Sequence, residues 1–152
     1  MVTLCMTIEK IVAALIDGER DAIANMANTA AAIWEHMPDI NWAGFYISRN
    51  ANQLVLGPFQ GKPACIRIPF GRGVCGTAAA TKQTILVPDV DAFADHIVCD
   101  ANSRSELVVP IVCKGAVVAV IDIDSATVNR FTNVEAEMLE RVAVLLGDGC
   151  DW

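Results

Sequence analysis

Apolar residues recur at helical spacing from residue 3 to 15, where Leu4, Ile8, Ile11, Val12 and Leu15 share one stripe. Asp17-Gly18-Glu19 interrupts it. A second helix is predicted from Asp21 to His36, with Ile23, Met26, Ala27, Ala30 and Ile33-Trp34 as its buried side and Pro38 as its stop. The pattern then changes. Ile40 to Ser48 reads as a strand, Asn50-Ala51-Asn52 as a turn, and Gln53 to Leu56 as the returning strand, broken by Gly57-Pro58. Cys65 to Ile68 is a third strand, with Ile66 and Ile68 on one side and Cys65 and Arg67 on the other. The glycine turn GRGVCG leads into a short helix, Val74 to Thr81. Thr84 to Val87 is a strand stopped by Pro88. Asp89 to Asn102 is a long loop with room for a helical turn, and loops of that length in compact domains are usually functional. Ser105 to Cys113 and Ala116 to Asp124 form a hairpin across Lys114-Gly115. A final helix opens on the capping box Thr132-Asn133-Val134-Glu135, with Val134, Met138, Val142 and Leu145 as its apolar stripe.

The order predicts an α+β domain over residues 1–152: a central, mostly antiparallel six-stranded sheet with two N-terminal helices and one C-terminal helix packed on it. Composition narrows the class. Of 152 residues, 54% are hydrophobic and only 6% aromatic, so the core is aliphatic. A net charge of −7 with no basic run argues against nucleic acid. Charges interrupt every apolar stretch before membrane-spanning length, and the N-terminus lacks the layout of a secretory signal, which points to the cytoplasm. Six cysteines without a C-x-x-C pair read as reduced thiols, some reactive, rather than as a disulfide framework or a metal site.

Chemistry concentrates between Cys65 and Asp124. Asp122 and Asp124 are two apart on one strand and share a face, where each raises the other's pKa. Glu106 joins them only if the register allows. A two-residue Lys114-Gly115 turn with a regular ladder pairs Glu106 with Ile123, on the wrong face; an odd-length connection pairs it with Asp122 or Asp124. The odd length is predicted, because it makes one acidic pocket. The competing reading is a set of solvated strand-end acids, and pattern alone does not choose. Cys75 stands at a helix start in the glycine turn, where backbone N–H groups would stabilise a thiolate. Cys99 sits in the long loop near His96, which could tune it, and Cys65 lies just before the turn. A lone Cys is most often a small buried hydrophobe, but three cysteines bracketing the one long loop argue against that here; it is the reading favoured for Cys5, Cys113 and Cys150. The glycine turn is not a dinucleotide fingerprint, though it could hold an anion. Trp42 and Tyr46 share a strand face, as core or as a pocket wall. His36 reads as solvated or structural.

The segments NWAGFY, CIRIPFGRGVCGTAA, HIVCDANSRSE and VIDIDS together closely resemble the free methionine-(R)-sulfoxide reductases, small cytosolic enzymes built on a single GAF domain. The likeness runs from about Ile40 to the last helix and shows no departure at the site positions. Cys5, Cys113 and Cys150 match no family cysteine. The resemblance implies a catalytic Cys99, with Cys65 and Cys75 at the other two thiol positions. It places Glu106, Asp122 and Asp124 at the substrate sulfoxide, with Trp42 and Tyr46 lining the pocket.

On that reading the Cys99 thiolate attacks the sulfur of free methionine sulfoxide. The acids hydrogen-bond the oxygen and deliver the protons with which it leaves as water. Cys99 becomes a sulfenic acid, and a neighbouring thiol condenses with it. Cys65 is the first choice for that thiol and Cys75 the second. No bound cofactor or metal is expected; an external thioredoxin/NADPH system would act as reductant. Asp89 to Asn102 is the candidate lid. A homodimer stays open. The alternative is a GAF-type ligand or redox sensor without turnover, which would tolerate loss of Glu106 or Asp124.

Overall fold

A computed structural model describes residues 6–152, so Cys5, Thr3 and Leu4 lie outside the described residues. Two helices come first, α1 (Ile8–Leu15) and α2 (Ala22–His36). The strands are β1 (Trp42–Asn50), β2 (Gln53–Gly61), β3 (Arg67–Pro69), β4 (Ile85–Val87), β5 (Ser105–Cys113) and β6 (Ala116–Ser125). Helix α3 (Gly73–Thr81) separates β3 from β4, a single 3₁₀ turn (Val90–Ala92) interrupts the long loop, and α4 (Asn133–Gly149) closes the chain. The six strands form one antiparallel sheet in the order β3-β2-β1-β6-β5-β4.

Both faces of this sheet are covered, which explains why its central strands read as nearly continuous apolar runs. Along β1 and β6, Ala43, Phe45, Ile47, Ala119, Ile121 and Ile123 point to one face. There they pack with Leu107, Val109 and Ile111 of β5 against α1, α2 and α4. The alternate residues Trp42, Tyr46, Val108 and Val120 point to the other face and meet α3 through Val74, Cys75, Ala78 and Ala79. The period of two therefore sorts each strand between a helix-covered core and the face that carries the site.

The helix faces depart from the predicted stripes. Met26, Ala30 and Ile33 of α2 are buried as expected, but Ile23, Ala27 and Trp34 are exposed, and the buried stripe is completed by Asn25, Thr29 and Ala32. In α1, Ile8 and Val12 are buried while Leu15 is exposed. In α4 the stripe runs through Ala136, Leu139, Val142, Ala143 and Leu146, leaving Val134 exposed. Small residues at these positions let the helices approach the sheet, and they carry a weak hydrophobic signal. The capping box on α4 is present, with Thr132 and Glu135 satisfying each other's backbone N–H groups.

Gly57-Pro58 does not break β2. The pair forms a bulge opposite Phe45, and the strand continues to Gly61. β3 begins later than predicted, at Arg67. Ile66 precedes the ladder and turns outward instead of sharing the buried side of Ile68.

Candidate active site

The acidic register rests on a device the sequence reading did not contain. Lys114-Gly115 is a two-residue turn, because Cys113 pairs with Ala116 and Val112 with Val117. Val118 is then an extra residue: Ile111 pairs with Ala119, and the shift carries down the hairpin until Glu106 pairs with Asp124. The predicted odd-length connection is thus absent, while the pairing it was meant to produce is present. A bulge moves the register by one residue, as an extra loop residue would. Lys114 and Gly115 both take positive φ, as a two-residue hairpin turn requires.

Register places the rest of the face. Trp42 pairs with Asp124 and Gly44 with Asp122 across β1 and β6, while Val87 pairs with Glu106 across β4 and β5. Trp42, Tyr46, Cys75, Glu106, Asp122 and Asp124 therefore line one cavity of about 40 Å³, under a roof that includes His96, Ile97, Cys99 and Asp100 of the long loop. Lys62, Pro63 and Ala64 form a further part of its wall, and Ser103 also lines it. Trp42 and Tyr46 are both core and pocket wall. Their rings stack with centroids 5.8 Å apart, Trp42 Nε1 donates to Lys62 O at 3.1 Å, and the Tyr46 hydroxyl donates to Cys65 O at 3.0 Å. The aromatic pair thereby holds the wall segment by its backbone.

Cys65 and Cys99 are joined in a disulfide, with Cα atoms 5.4 Å apart. The bond ties the long loop to the 62–66 wall. Other ties act in the same sense. Arg72, at the N-cap of α3, makes two hydrogen bonds to the Asp95 carboxylate, at 2.6 and 3.0 Å. Gly73 packs against Ile97 so closely that a Cβ there would crowd the isoleucine side chain, and its φ of +62° suits glycine.

Cys75 departs from expectation. It is free, and it is buried beneath the pocket rather than presented at the helix start. Burial, followed by the neighbouring Asp122 and Glu106 carboxyls, pushes its thiol well up, opposite to the activated thiolate predicted from the helix N-terminus. Its Sγ lies 3.9 Å from Glu106 Oε1.

The three acids hold their protons far above the usual carboxylate range. Burial is the first cause for each. The next is a neighbouring carboxyl: Asp124 for Glu106, Glu106 for Asp122, and Asp122 for Asp124. Asp122 Oδ1 is buried with no hydrogen-bond partner among the described residues. Tyr46 is likewise pushed up, by burial first and then by Asp122.

His96 meets Glu106. Its Nε2 lies 3.4 Å from Glu106 Oε2, and burial holds its pKa below the ordinary value, so the pair is a neutral imidazole beside a protonated carboxyl. The signal for this contact was a histidine three residues before Cys99, but only the fold of the loop aims it. The Lys62–Ala64 wall and Ser103 carried no signal in the sequence. His36 is structural, with Nδ1 2.9 Å from Ala32 O. Cys150 is buried and accepts from Asn25 Nδ2 at 3.4 Å, while Cys113 is half-buried.

One group could hold a cation by spacing. Cys75 Sγ and one oxygen each of Glu106 and Asp122 lie within 4.8 Å of one another. Burial opposes the loss of protons that ligation would require.

A six-stranded antiparallel sheet with α1, α2 and α4 on one face, and α3, the long loop and a pocket on the other, defines an α+β domain with a site on one sheet face. The model of the GAF domain family matches residues 4–148. The free methionine-R-sulfoxide reductase of Escherichia coli is 50% identical over 133 residues, covering 88% of this chain and 80% of that protein. That of Saccharomyces cerevisiae is 47% identical over 143 residues, covering 90% and 79%. Among solved structures, the free methionine-R-sulfoxide reductase of Neisseria meningitidis in complex with its substrate superposes with a TM-score of 0.89 at 44% identity, covering 93% of this chain and 84% of that one. The chain belongs to the GAF domain family and, within it, to the free methionine-R-sulfoxide reductases.

Proposed function

We propose that this chain reduces free methionine-(R)-sulfoxide to methionine through a cycle in which Cys99 and Cys65 exchange thiol and disulfide states. The observation that carries the reading is the Cys65–Cys99 bond at the mouth of a pocket floored by three protonated carboxyls. A sulfoxide oxygen is an acceptor, and protonated Asp122, Asp124 and Glu106 are donors. Asp122 Oδ1, buried without a partner among the described residues, is suited to meet such an oxygen. Trp42 and Tyr46 offer the apolar wall for the methyl and methylene groups.

In the reduced protein the Cys99 sulfur attacks the sulfoxide sulfur. The acid cluster supplies a proton to the oxygen, which passes to the Cys99 sulfur as the sulfoxide S–O bond and the transient S–S bond break; methionine leaves reduced by two electrons, and Cys99 is left as a sulfenic acid. The Cys65 thiol then attacks Cys99; an S–S bond forms, the S–O bond breaks, and water leaves with protons supplied by the thiol and the acid cluster. Cys75, buried and protonated, serves as floor of the pocket rather than as the second thiol. A dithiol protein of the thioredoxin type, recharged by NADPH, restores the two thiols. Such a cycle suits the reducing cytoplasm. No helix among the described residues is long and apolar enough to cross a membrane.

The test is consumption of racemic free methionine sulfoxide with excess dithiothreitol, beside Cys99→Ser. About half the substrate should disappear, with the remainder the S form by chiral analysis, and the variant should be inactive. No consumption by the wild-type protein, or full activity in Cys99→Ser, overturns the assignment.

A further inference from the structure

We propose that the exposed apolar pair Ile66 and Val98, which flanks the Cys65–Cys99 bond, is the docking surface for a protein dithiol reductant of the thioredoxin type. The proposal rests on the reading above, in which that disulfide is the oxidised product of turnover.

Ile66 is 65% and Val98 64% exposed, among the most exposed large apolar side chains of the described residues. Scattered surface apolar residues need no explanation. These two are not scattered: each is the chain neighbour of one half-cystine. With half-cystine Cα atoms 5.4 Å apart, the fixed Cα step puts Ile66 and Val98 within about 13 Å of each other. Ile66 is also held in place, since its carbonyl accepts from Leu56 N–H at 2.8 Å. Neither residue lines the pocket, so the substrate does not account for them.

A protein reductant must do more than a small thiol. It must bring a folded surface against the bond, and interface centres are apolar and poor in charge, with polar groups at the rim. Here the rim is present: Lys62, Arg67 and the Arg72–Asp95 pair are exposed around the collar. A second copy of this chain is the less suitable occupant, since a self-complementary contact would bring the basic rim residues Lys62 and Arg67 up against the same residues of the other copy.

Cys99 is exposed and Cys65 half-buried, so the incoming thiolate attacks Sγ of Cys99. A mixed disulfide forms, Cys65 leaves as thiolate and takes a proton, and the partner's second thiol then attacks its own half of the mixed disulfide. Cys99 is released as thiolate and protonated. The partner ends oxidised by two electrons, and this chain gains two thiols.

The test mixes disulfide-form protein with reduced thioredoxin, or with dithiothreitol, and follows the rate at which the Cys65–Cys99 bond opens. It compares wild type with the Ile66→Ser/Val98→Ser double variant. Methionine sulfoxide is absent, so the outcome is independent of whether the chain turns that substrate over. The double variant should lose about tenfold or more in the thioredoxin rate constant while staying within about twofold with dithiothreitol. Equal thioredoxin rates overturn the collar. So does a parallel loss with both reductants, which would mark the pair as supports of the loop. A wild-type dimer that the double variant dissolves would assign the surface to a second copy instead.

Discussion

Asp122 illustrates how much a single side chain depends on its surroundings in this site. Its carboxyl is buried, leaves Oδ1 without a partner, and stays protonated because ionisation would place a charge beside Glu106 away from water. Asp122→Asn keeps the shape but removes an acid that can both donate and give up a proton. Turnover should fall about 10²–10⁴-fold with an unchanged circular dichroism spectrum; turnover near the wild-type rate would remove Asp122 from the chemistry. The same burial has a linkage consequence. Above about pH 4 the unfolded chain releases these protons, while the folded chain keeps them until its raised pKa values are reached. Folding stability from this cluster is therefore undiminished at low pH and declines as pH rises. Urea midpoints between pH 5 and 8 should fall for the wild type and fall less steeply for Asp122→Asn; parallel slopes would show that the cluster does not titrate as described. The acid type, the pairing of Asp122 with Asp124 on one face and the candidacy of Cys65 and Cys99 were legible in the sequence. The fate of Cys75 was not, because a helix start says nothing about whether a sheet lies over it.

Among the elements, β1 and the β5–β6 hairpin decide the site. Gly44 sits opposite Asp122 and faces Phe59 and the Trp42 ring so closely that a Cβ would overlap both. Gly44→Ala should cost about 1–3 kcal/mol by urea denaturation, as overpacking does, and should disturb the Trp42–Tyr46 wall; an unchanged midpoint would show that the strands part freely. Thr132→Ala removes one half of the α4 capping box and should cost about 1 kcal/mol, far from the pocket and without effect on turnover. Strand existence, the hairpin and the cap were readable because alternation, turn residues and capping pairs are local. The bulge at Val118 and the Gly57-Pro58 bulge were not. Both are settled by how three strands fit together, and neither changes the local pattern of apolar residues. The α2 and α4 stripes were right at Met26, Ala30, Ile33 and Val142 and wrong at their edges: Ala32, Ala136 and Ala143 are buried by close approach to neighbouring elements rather than by hydrophobicity, and with apolar residues on more than one side of α4 the pattern did not single out Leu139 and Leu146.

At the scale of the whole molecule the disulfide is both a staple and a closure. It joins residues 34 apart in the chain, a loop for which the chain-entropy model gives about 3–4 kcal/mol. Reduction should lower the unfolding free energy by up to that amount, measured by urea unfolding with and without dithiothreitol. In the closed state the pocket volume of about 40 Å³ is room for roughly three water molecules, well short of methionine sulfoxide. Calorimetric titration should therefore show binding of methionine sulfoxide to the reduced chain, assayed with Cys99→Ser to prevent turnover, and none to the disulfide form. Binding to both would mean that the loop from Asp89 to Asn102 does not act as a lid.

By itself, the sequence determined the class of fold, the strands that meet at the site and the chemical kinds of group that line it. These follow from periodicity, turn chemistry and residue type, all of which act over a few neighbouring residues. Only the tertiary structure decided that Glu106 faces Asp124, that Cys65 rather than Cys75 reaches Cys99, and that His96 turns to Glu106. Each of these depends on the distance between segments far apart in the chain. That distance is set by sheet register and by α3 packing on the sheet, where one bulged residue changes which side chains share a pocket.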